Sequence, residues 1–432
     1  MMKDILKNII IEFHRDFEFS TYDRDLKINI NPDIHKAVTI YGPRRSGKTY
    51  FLFNFIEKYY KKEKIENTIY INFEDNRLID LKAKELDLIT DAYKELYPDK
   101  TPVYFLDEIQ NIDNWSKWIR KLVDKKQKVF ITGSNSKLLS KEIATELRGR
   151  TLSYMLLPFS LNEFLNYHKL LLKSNDYYDI SKKQQFYHLF DQYLNKGGFP
   201  ELLNLNEAES KIILQEYINS IVYKDIIDRY RIKNSFTIKF LINYFLENYS
   251  TLFSVNKIYN FLKSQNYETG KSNLYDYISH FEDSVFLFKS QKYEKSLKKR
   301  SAYIKKYYLS DIGYSVLSRY GVNTGRVFEN IIYNELLRSG LEINYLSNGF
   351  ECDIILHSER SVYPIQVCYL LKADYNTFNR EINSLKSAMQ YLNKRKGFII
   401  TYGESDIIND SGLQIIILSA FDFHLKFKDY LE

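Results

Sequence analysis

Residues 42–49 form a pattern that few folds accommodate. The eight residues are Gly42, Pro43, Arg44, Arg45, Ser46, Gly47, Lys48 and Thr49, and they lie between an apolar run (37–41) and a stretch of helical periodicity (50–60). This matches GxxxxGK[ST], in which a strand delivers a glycine-rich loop whose backbone N–H groups surround phosphates at a helix N-terminus. We therefore expect all eight residues to bind the phosphates of ATP, with the Lys48 ammonium on the phosphates and the Thr49 hydroxyl on Mg²⁺. A glycine turn with a stray lysine is the alternative.

A second motif follows about sixty residues later. The apolar run 103–106 ends in Asp107 and Glu108, so two carboxylates are expected at the carboxyl edge of the sheet, where open α/β folds bind ligands. Asp107 is predicted to hold Mg²⁺, directly or through water. Glu108 is predicted to polarise the attacking water beside the γ-phosphate. The alternative is a strand that ends in two solvated acids.

Two further strands are expected at 68–73 and 128–132. The second ends in Gly133, Ser134 and Asn135. If it is inserted between the loop strand and the Asp107 strand, Ser134 or Asn135 would lie near the γ-phosphate as a polar sensor. Turn chemistry alone also selects Gly, Ser and Asn, and both interpretations stay open.

Several segments in a fixed order resemble a known group. They are LDEIQNIDNW at 106–115, TGSNSKLL at 132–139, LRGRT at 147–151, LPFSLNEF at 157–164 and GGFPE at 197–201. With the octapeptide, they resemble prokaryotic AAA-type ATPases that carry a nuclease-like C-terminal domain of unknown function. The resemblance covers nearly the whole chain. It implies that Arg148 or Arg150 approaches the phosphates to stabilise developing charge, although an ordinary ion pair is the competing interpretation.

Length and composition predict several domains in a cytoplasmic protein. At 432 residues the chain exceeds one hydrophobic core, and the absence of an apolar run of roughly 18 residues or of a secretory signal argues against a membrane. Two cysteines are too few for a disulfide framework, and a net charge of +7 is mild. The predicted class is α/β. Its parts are a helical extension at 1–30, a P-loop NTPase core with a parallel sheet at 31–165, a helical lid or linker at 166–250, a winged-helix module at 251–310 and a nuclease-like α/β domain at 311–432.

The predicted winged helix ends in a basic hairpin. Helices are expected at 256–264 and 272–280, and the strands at 285–293 and 303–309. The hairpin contains a single acid, Glu294, and eight basic residues: Lys289, Lys292, Lys295, Lys298, Lys299, Arg300, Lys305 and Lys306. Such a wing neutralises DNA phosphates without reading sequence. A solvated hairpin on a module that packs within the protein remains the alternative.

The C-terminal domain is expected to bind without cutting. A helix bearing Glu329 precedes strands that carry Asp353 and Gln366. This order resembles the restriction-nuclease-like fold, whose active members have carboxylates at the Asp353 and Gln366 positions and a lysine at the position of Cys368. An amide in place of a carboxylate and a thiol in place of a lysine argue against hydrolysis, unless Lys386 on the next helix replaces the lysine.

The sequence thus predicts a Mg²⁺-dependent ATPase that converts hydrolysis into conformational change, with DNA as a second ligand through residues 289–306. Two alternatives stay open: an ATP-binding switch that signals through protein partners, and an ATP-regulated nuclease. A homo-oligomer is also open, because a charge-stabilising arginine acts either within a chain or across a subunit boundary.

Overall fold

A computed structural model describes residues 1–28, 35–60, 64–133, 147, 149–232, 235–294, 296, 303–358 and 361–431. The chain forms two compact units. The first contains Met1–Pro158 with Asp283–Val285, and the second contains Phe159–Glu282 with Phe286–Glu432. Within the described ranges, no helix combines the length and apolarity needed to cross a membrane.

The first unit is built on a parallel sheet. Its described strands are β1 (Ala37–Tyr41), β2 (Thr68–Asn72), β3 (Val103–Asp107), β4 (Val129–Gly133) and β5 (Thr151–Met155), in the order β2-β3-β4-β1-β5. Its helices are α1 (Met2–Arg15), α2 (Lys48–Tyr60), α3 (Asp87–Leu96) and α4 (Ser116–Asp124). The parallel α/β class predicted for this region is confirmed, and β4 lies between β1 and β3 as expected.

Strand β3 shows how the sheet is covered on both faces. Tyr104 and Leu106 pack in one hydrophobic cluster with residues of α1, α3 and α4, whereas Val103 and Phe105 pack in another with residues of α2. Because side chains alternate along a strand, burial on both faces requires the uninterrupted apolar run seen in the sequence. The same strand carries Asp107 to the carboxyl edge of the sheet, next to the loop that leaves β1.

An irregular segment, which we call the strap (residues 16–28), follows α1. The predicted helical extension is therefore helical only as far as Arg15. The strap lies along α2: the ring of Phe19 stacks on that of Phe53 with centroids 4.0 Å apart, and the Thr21 hydroxyl donates to Glu57 at 2.9 Å. The strap thus follows the helix whose N-terminus carries Lys48.

The second unit combines helices with a mixed sheet. Its helices are α5 (Leu161–Tyr167), α6 (Ile180–Lys196), α7 (Glu207–Ser220) continued by a π-helix (Ile221–Asp228), α8 (Ser235–Glu247), α9 (Val255–Ser264), α10 (Lys271–Asp283), α11 (Thr324–Arg338), α12 (Tyr375–Tyr391) and α13 (Ala420–Lys426). Its strands are β6 (Thr251–Phe253), β7 (Leu287–Lys292), β8 (Lys305–Leu309), β9 (Glu342–Ser347), β10 (Glu351–His357), β11 (Val362–Val367), β12 (Lys396–Thr401), β13 (Asp406–Asp410) and β14 (Leu413–Ser419).

One sheet runs through all of these strands. Its order among the described residues is β13-β14-β12-β11-β10-β9-β7-β8-β6. Strand β7 of the hairpin pairs in parallel with β9, with Gln291 opposite Asn344 and Lys292 opposite Tyr345. The sheet is therefore continuous across the boundary at 310/311 that the sequence suggested.

The GGFPE segment has a packing role in the second unit. A Cβ on Gly197, whose φ is +72°, would lie 2.0 Å from Asp311 Oδ1, and one on Gly198 would lie 2.1 Å from the Phe159 carbonyl oxygen. The Gly198 N–H donates to Asp311 Oδ2 at 2.9 Å, and the Gly313 N–H donates to Oδ1 at 2.8 Å. Both glycines are required because the Asp311 carboxylate and the Phe159 backbone leave no room for a side chain.

Candidate nucleotide site

The phosphate loop joins β1 to α2, as the pattern predicted. A Cβ on Gly42 would lie 2.0 Å from the carbonyl oxygen of Leu156, and Gly47 has a φ of +90°. Gly42 is thus fixed by a close approach of backbone to backbone, and Gly47 by a left-handed conformation. Pro43 and Ser46 are buried, and Arg45 is exposed with a φ of +63°. Arg44 lies 3.8 Å from Glu74 Oε1, at the surface.

Lys48 lies at the first position of α2 and is 5% exposed. Its ammonium donates to the carbonyl oxygens of Gly42 at 3.2 Å and Pro43 at 3.0 Å, and it lies 3.8 Å from Glu108 Oε1. The cation is therefore held inside the loop, between the loop backbone and the second motif. This is the position from which it can reach an anion bound by the loop N–H groups.

Asp107 is fully buried beside the start of α2. Its Oδ2 accepts hydrogen bonds from the Thr49 hydroxyl at 2.7 Å and the Tyr70 hydroxyl at 3.0 Å, and its Oδ1 accepts one from Thr132. Burial raises the pKa of Asp107, and the nearby Glu108 carboxylate raises it further, against the three hydroxyl donors. A nearby cation strongly stabilises the ionised form of a carboxylate that is buried in this way.

Glu108 has an unusual backbone. Its φ of +51° and ψ of +42° are left-handed values that residues other than glycine rarely adopt, and its N–H donates to Thr132 Oγ1 at 3.0 Å. The carboxylate lies beside Lys48 and accepts a hydrogen bond from the Gln110 side chain. Left-handed residues held by surrounding contacts are common at functional sites, and here the conformation turns Glu108 towards Lys48.

Two members of this cluster have no counterpart in the sequence prediction. Thr132 is the hydroxyl that connects Asp107 to the Glu108 backbone, and Tyr70 is the second donor to Asp107 Oδ2. Thr132 lies near the carboxyl end of β4, whereas Tyr70 lies in the middle of β2 and reaches Asp107 with its long side chain. For Thr132, that position was the available signal, because parallel strands end at the same edge of the sheet.

Arg150, another predicted site residue, does not join this cluster. Arg150 lies at the opposite end of the sheet: its carbonyl oxygen accepts from the Ala37 N–H at 2.8 Å, and its Nε donates to Asp124 at 2.6 Å. The five residues of β1 separate it from Gly42 by about 16 Å, so Arg150 does not reach the loop of its own chain. Ser134, Asn135 and Arg148 lie outside the described residues.

The loop and the two carboxylates suit a magnesium nucleotide. Thr49 and Asp107 present a hydroxyl and a carboxylate oxygen 2.7 Å apart, both hard oxygen donors of the kind Mg²⁺ prefers. Mg²⁺ in nucleotide sites usually takes one or two protein ligands and completes its shell with phosphates and water. The residues present therefore fit the ion.

Comparisons with known proteins agree with this geometry. A family model described as an AAA domain matches residues 34–165, and a model described as a domain of unknown function, DUF8612, matches residues 187–318. The uncharacterized protein MJ1544 of Methanocaldococcus jannaschii is 36% identical over 402 residues, covering 91% of this chain and 86% of that protein. This chain belongs to the MJ1544 family. The family also reaches bacteria, since an uncharacterized protein of Haemophilus influenzae is 31% identical over 347 residues, covering 76% of this chain and 82% of that protein.

The MJ1544 family member described here therefore carries an AAA-type P-loop ATPase domain. AMPPCP-bound DnaA from Aquifex aeolicus aligns with a TM-score of 0.23 and 15% identity, covering 64% of this chain and 86% of that one. A likeness at this TM-score carries no argument about fold, substrate or partner.

The described lysines of the hairpin in the second unit differ in their contacts and burial. Lys289 pairs with Glu282, and the Lys292 ammonium lies 4.1 Å from the ring centroid of Tyr303. Lys306 is 2% exposed, so its predicted role in DNA contact is wrong. Strand β8 turns this side chain inward because it alternates with Lys305. Lys295, Lys298, Lys299 and Arg300 lie outside the described residues.

Lys306 instead joins three elements of the second unit. Its ammonium lies 2.7 Å from Glu329 Oε1 on α11 and 2.9 Å from Asp353 Oδ1 on β10, and the Tyr308 hydroxyl also donates to Glu329 at 2.8 Å. Burial alone would lower the pKa of Lys306, but the Asp353 and Glu329 carboxylates outweigh burial and hold it above its ordinary value. The lysine that meets Asp353 thus comes from the hairpin.

The remaining residues of this cluster bond to one another. Gln366 accepts from the Asp353 N–H at 2.9 Å and donates to Glu381 at 2.7 Å. Lys386, the lysine suggested from sequence as a replacement for Cys368, pairs with Asp410 instead. Lys386 therefore does not provide the exception to an inactive site that the sequence analysis considered, since α12 directs it towards the end of β13.

Proposed function

We propose that this chain is a Mg²⁺-dependent ATPase in which Glu108 orients the water that attacks the γ-phosphate. One observation carries the proposal: the Lys48 ammonium, the Thr49 hydroxyl and the carboxylates of Asp107 and Glu108 converge at one edge of the sheet, with Thr49 2.7 Å from Asp107 and Lys48 3.8 Å from Glu108. These are the groups that phosphoryl transfer to water requires, because catalysis consists of positioning and charge stabilisation.

Each residue has a separate task. The loop N–H groups and Lys48 bind the phosphates, and Thr49 and Asp107 would hold Mg²⁺, which neutralises charge on the β- and γ-phosphate oxygens. Glu108 accepts a hydrogen bond from the water and leaves it aligned for in-line attack. Its left-handed backbone and its hydrogen bond to the Thr132 hydroxyl fix the backbone position from which the Glu108 side chain extends.

ATP turnover in four proteins tests this assignment. Lys48→Ala is expected to abolish binding and turnover, and Glu108→Gln to retain ATP while lowering turnover by about 100-fold or more. Glu74→Gln is the matched control, because Glu74 is an exposed acid near the loop that touches only Arg44 among the site residues. Turnover in Glu108→Gln equal to the unaltered chain would contradict the role given to Glu108.

We further propose that hydrolysis drives conformational change coupled to DNA. The half-exposed Lys292 and Lys305 support this, whereas Lys289 is ion-paired. Duplex DNA should raise turnover in a salt-sensitive way, and Lys292→Gln with Lys305→Gln should reduce the effect, while Lys289→Gln should change it less. Tight ATP binding with slow turnover that DNA leaves unchanged would favour the nucleotide switch.

An arginine acting across a subunit boundary would require a homo-oligomer, and Arg150 is the described candidate. Its distance of about 16 Å from Gly42 along β1 leaves either this route or the structural role given by its ion pair with Asp124, and complementation separates the two. We therefore expect Arg150→Ala and Lys48→Ala proteins, each inactive alone, to regain activity when mixed. No recovery in an oligomer that exchanges subunits would exclude Arg150.

A further inference from the structure

Arg24 connects the strap to the phosphate loop. Arg24 donates from one terminal nitrogen to the Ser46 carbonyl oxygen at 3.0 Å and from the other to the Leu157 carbonyl oxygen at 2.6 Å. The guanidinium therefore bridges the loop and the segment that follows β5. That segment is the one whose Leu156 carbonyl oxygen closes the space around Gly42.

The contact with Ser46 fixes a peptide unit of the loop. In a trans peptide the carbonyl oxygen and the following N–H point in opposite directions, and no cis peptide occurs in the described chain. Holding the Ser46 oxygen on the Arg24 side thus directs the Gly47 N–H the other way. Gly47 has a φ of +90°, and glycine accepts many backbone conformations, so the Ser46–Gly47 peptide can rotate easily. A hydrogen bond from outside the loop is needed to fix its orientation.

We propose that Arg24 is a positioning residue of the nucleotide site, which holds the Ser46–Gly47 peptide so that the Gly47 N–H is aimed at a bound phosphate before the phosphate arrives. The proposal rests on the phosphate-binding function given above. An arginine suits the task better than a lysine, because its planar fork reaches two carbonyl oxygens at once.

The rest of the strap secures the arginine. Thr21 bonds to Glu57, Asn54 donates to Asp23 at 3.2 Å, and Phe19 stacks on Phe53, so the strap is attached to α2 at three points before it reaches the loop. These contacts touch the helix and not the loop. Substitutions at these contacts weaken the attachment of the strap to α2, whereas substitutions of Arg24 remove the contact with the loop. The two effects can therefore be measured separately.

Binding of inorganic pyrophosphate and of ATP to the full chain tests the proposal. Arg24→Gln is expected to weaken both ligands by about tenfold, the size of one charge-assisted hydrogen bond, while Arg24→Lys falls between because it restores one contact. Thr21→Val, the matched control, should bind both ligands within about twofold of the unaltered chain. In turnover assays the Arg24 variants should raise KM with little change in kcat, since the groups around Glu108 are intact.

The outcomes separate this proposal from the proposed function. If the unaltered chain binds neither pyrophosphate nor ATP, the proposed ATPase function itself is contradicted. An unaltered chain that binds them while Arg24→Gln binds as tightly would overturn the positioning role, and so would equal losses in Arg24→Gln and Thr21→Val. If Arg24→Gln fails to fold, Arg24→Lys against Thr21→Val decides the same question.

Discussion

Lys306 and Asp353, 47 positions apart in the sequence, form an ion pair of 2.9 Å inside the second unit. The same ammonium contacts Glu329 at 2.7 Å, so one buried cation serves the buried carboxylate of Glu329 and the partly buried carboxylate of Asp353. Removing one partner from such a group is costly because it leaves charge unpaired in a medium of low polarity.

Lys306→Met is accordingly expected to lower the free energy of unfolding by about 3–5 kcal/mol. Adding Glu329→Gln should recover much of this loss, because the second change removes one of the carboxylates left unpaired. Urea unfolding measures both effects. Lys292→Met is the control, since Lys292 is a half-exposed lysine of the same hairpin that lies over the Tyr303 ring, and it should cost less than about 1 kcal/mol. A single Lys306 variant as stable as the unaltered chain would contradict the burial of this charge.

Asp107→Asn should lower ATP turnover by about 100-fold or more, because it removes the charge beside Thr49. The same change should raise thermal stability near pH 7, since burial raises the pKa of Asp107 and the folded state disfavours its ionised form. Tyr70→Phe removes only one donor to the carboxylate and should change turnover by less than about threefold. Turnover and melting temperature, measured on the same samples, check all three expectations.

Asp311 provides a pH test. Burial raises its pKa from 3.8 to about 6, although the Gly198 and Gly313 N–H groups oppose the rise. A carboxyl with a raised pKa favours folding most below about pH 3.8, and this contribution is lost as the pH rises to about 6. Unfolding free energies from pH 4 to 7 should therefore show Asp311→Asn gaining on the unaltered chain by about 2 kcal/mol.

Asp311→Asn also removes a carboxylate oxygen that accepts a backbone hydrogen bond, and this loss lowers the free energy of unfolding by the same amount at every pH. The test is therefore how the difference between the two proteins changes with pH. Asp276→Asn, the same substitution at an exposed position, is the control for the chemical change itself. A level difference for Asp311→Asn would mean that its carboxyl titrates alike in the folded and unfolded chains.

Gly198→Ala is expected to cost at least about 3 kcal/mol, since the new Cβ would lie 2.1 Å from the Phe159 carbonyl oxygen. Gly325→Ala is the matched control. Its Cβ would meet its nearest atom, Asn323 Oδ1, at 3.5 Å, and alanine favours α11, so it should gain up to about 1 kcal/mol. Chemical unfolding of the two variants measures the contrast, and equal stabilities would contradict the close approach.

The phosphate loop and Asp107 with Glu108 were predictable because their signals are local: a glycine pattern, an apolar run and the residues at its end. Thr132, Tyr70 and Arg24 were not, because each acts through a contact with a residue at least 22 positions away. Periodicity along the chain does not report such contacts.

Lys306 illustrates why the second unit was harder to predict. A run of lysines predicts a solvated surface, yet strand β8 places Lys306 on the same side as Tyr308, and both contact Glu329. The alternation of Lys306 with Lys305 was the available signal, and the charge run obscured it. The strands β5, β9, β13 and β14 were also missed. Pairing with the distant strand β1 explains β5, whereas β9 and β13 pair with the next strand in the sequence, so the packing of their side chains decides their structure more than their composition does.

The parallel pairing of β7 with β9 determines what happens when this chain is shortened. A fragment that stops near residue 310 would keep the hairpin but lose the strand on its flank, so the backbone of β7 around Gln291 and Lys292 would become an open edge. Open edges recruit strands from other molecules. The hairpin, expressed as a small piece, is therefore expected to self-associate through the edge that β9 covers in the full chain, and any activity it shows would belong to that assembly.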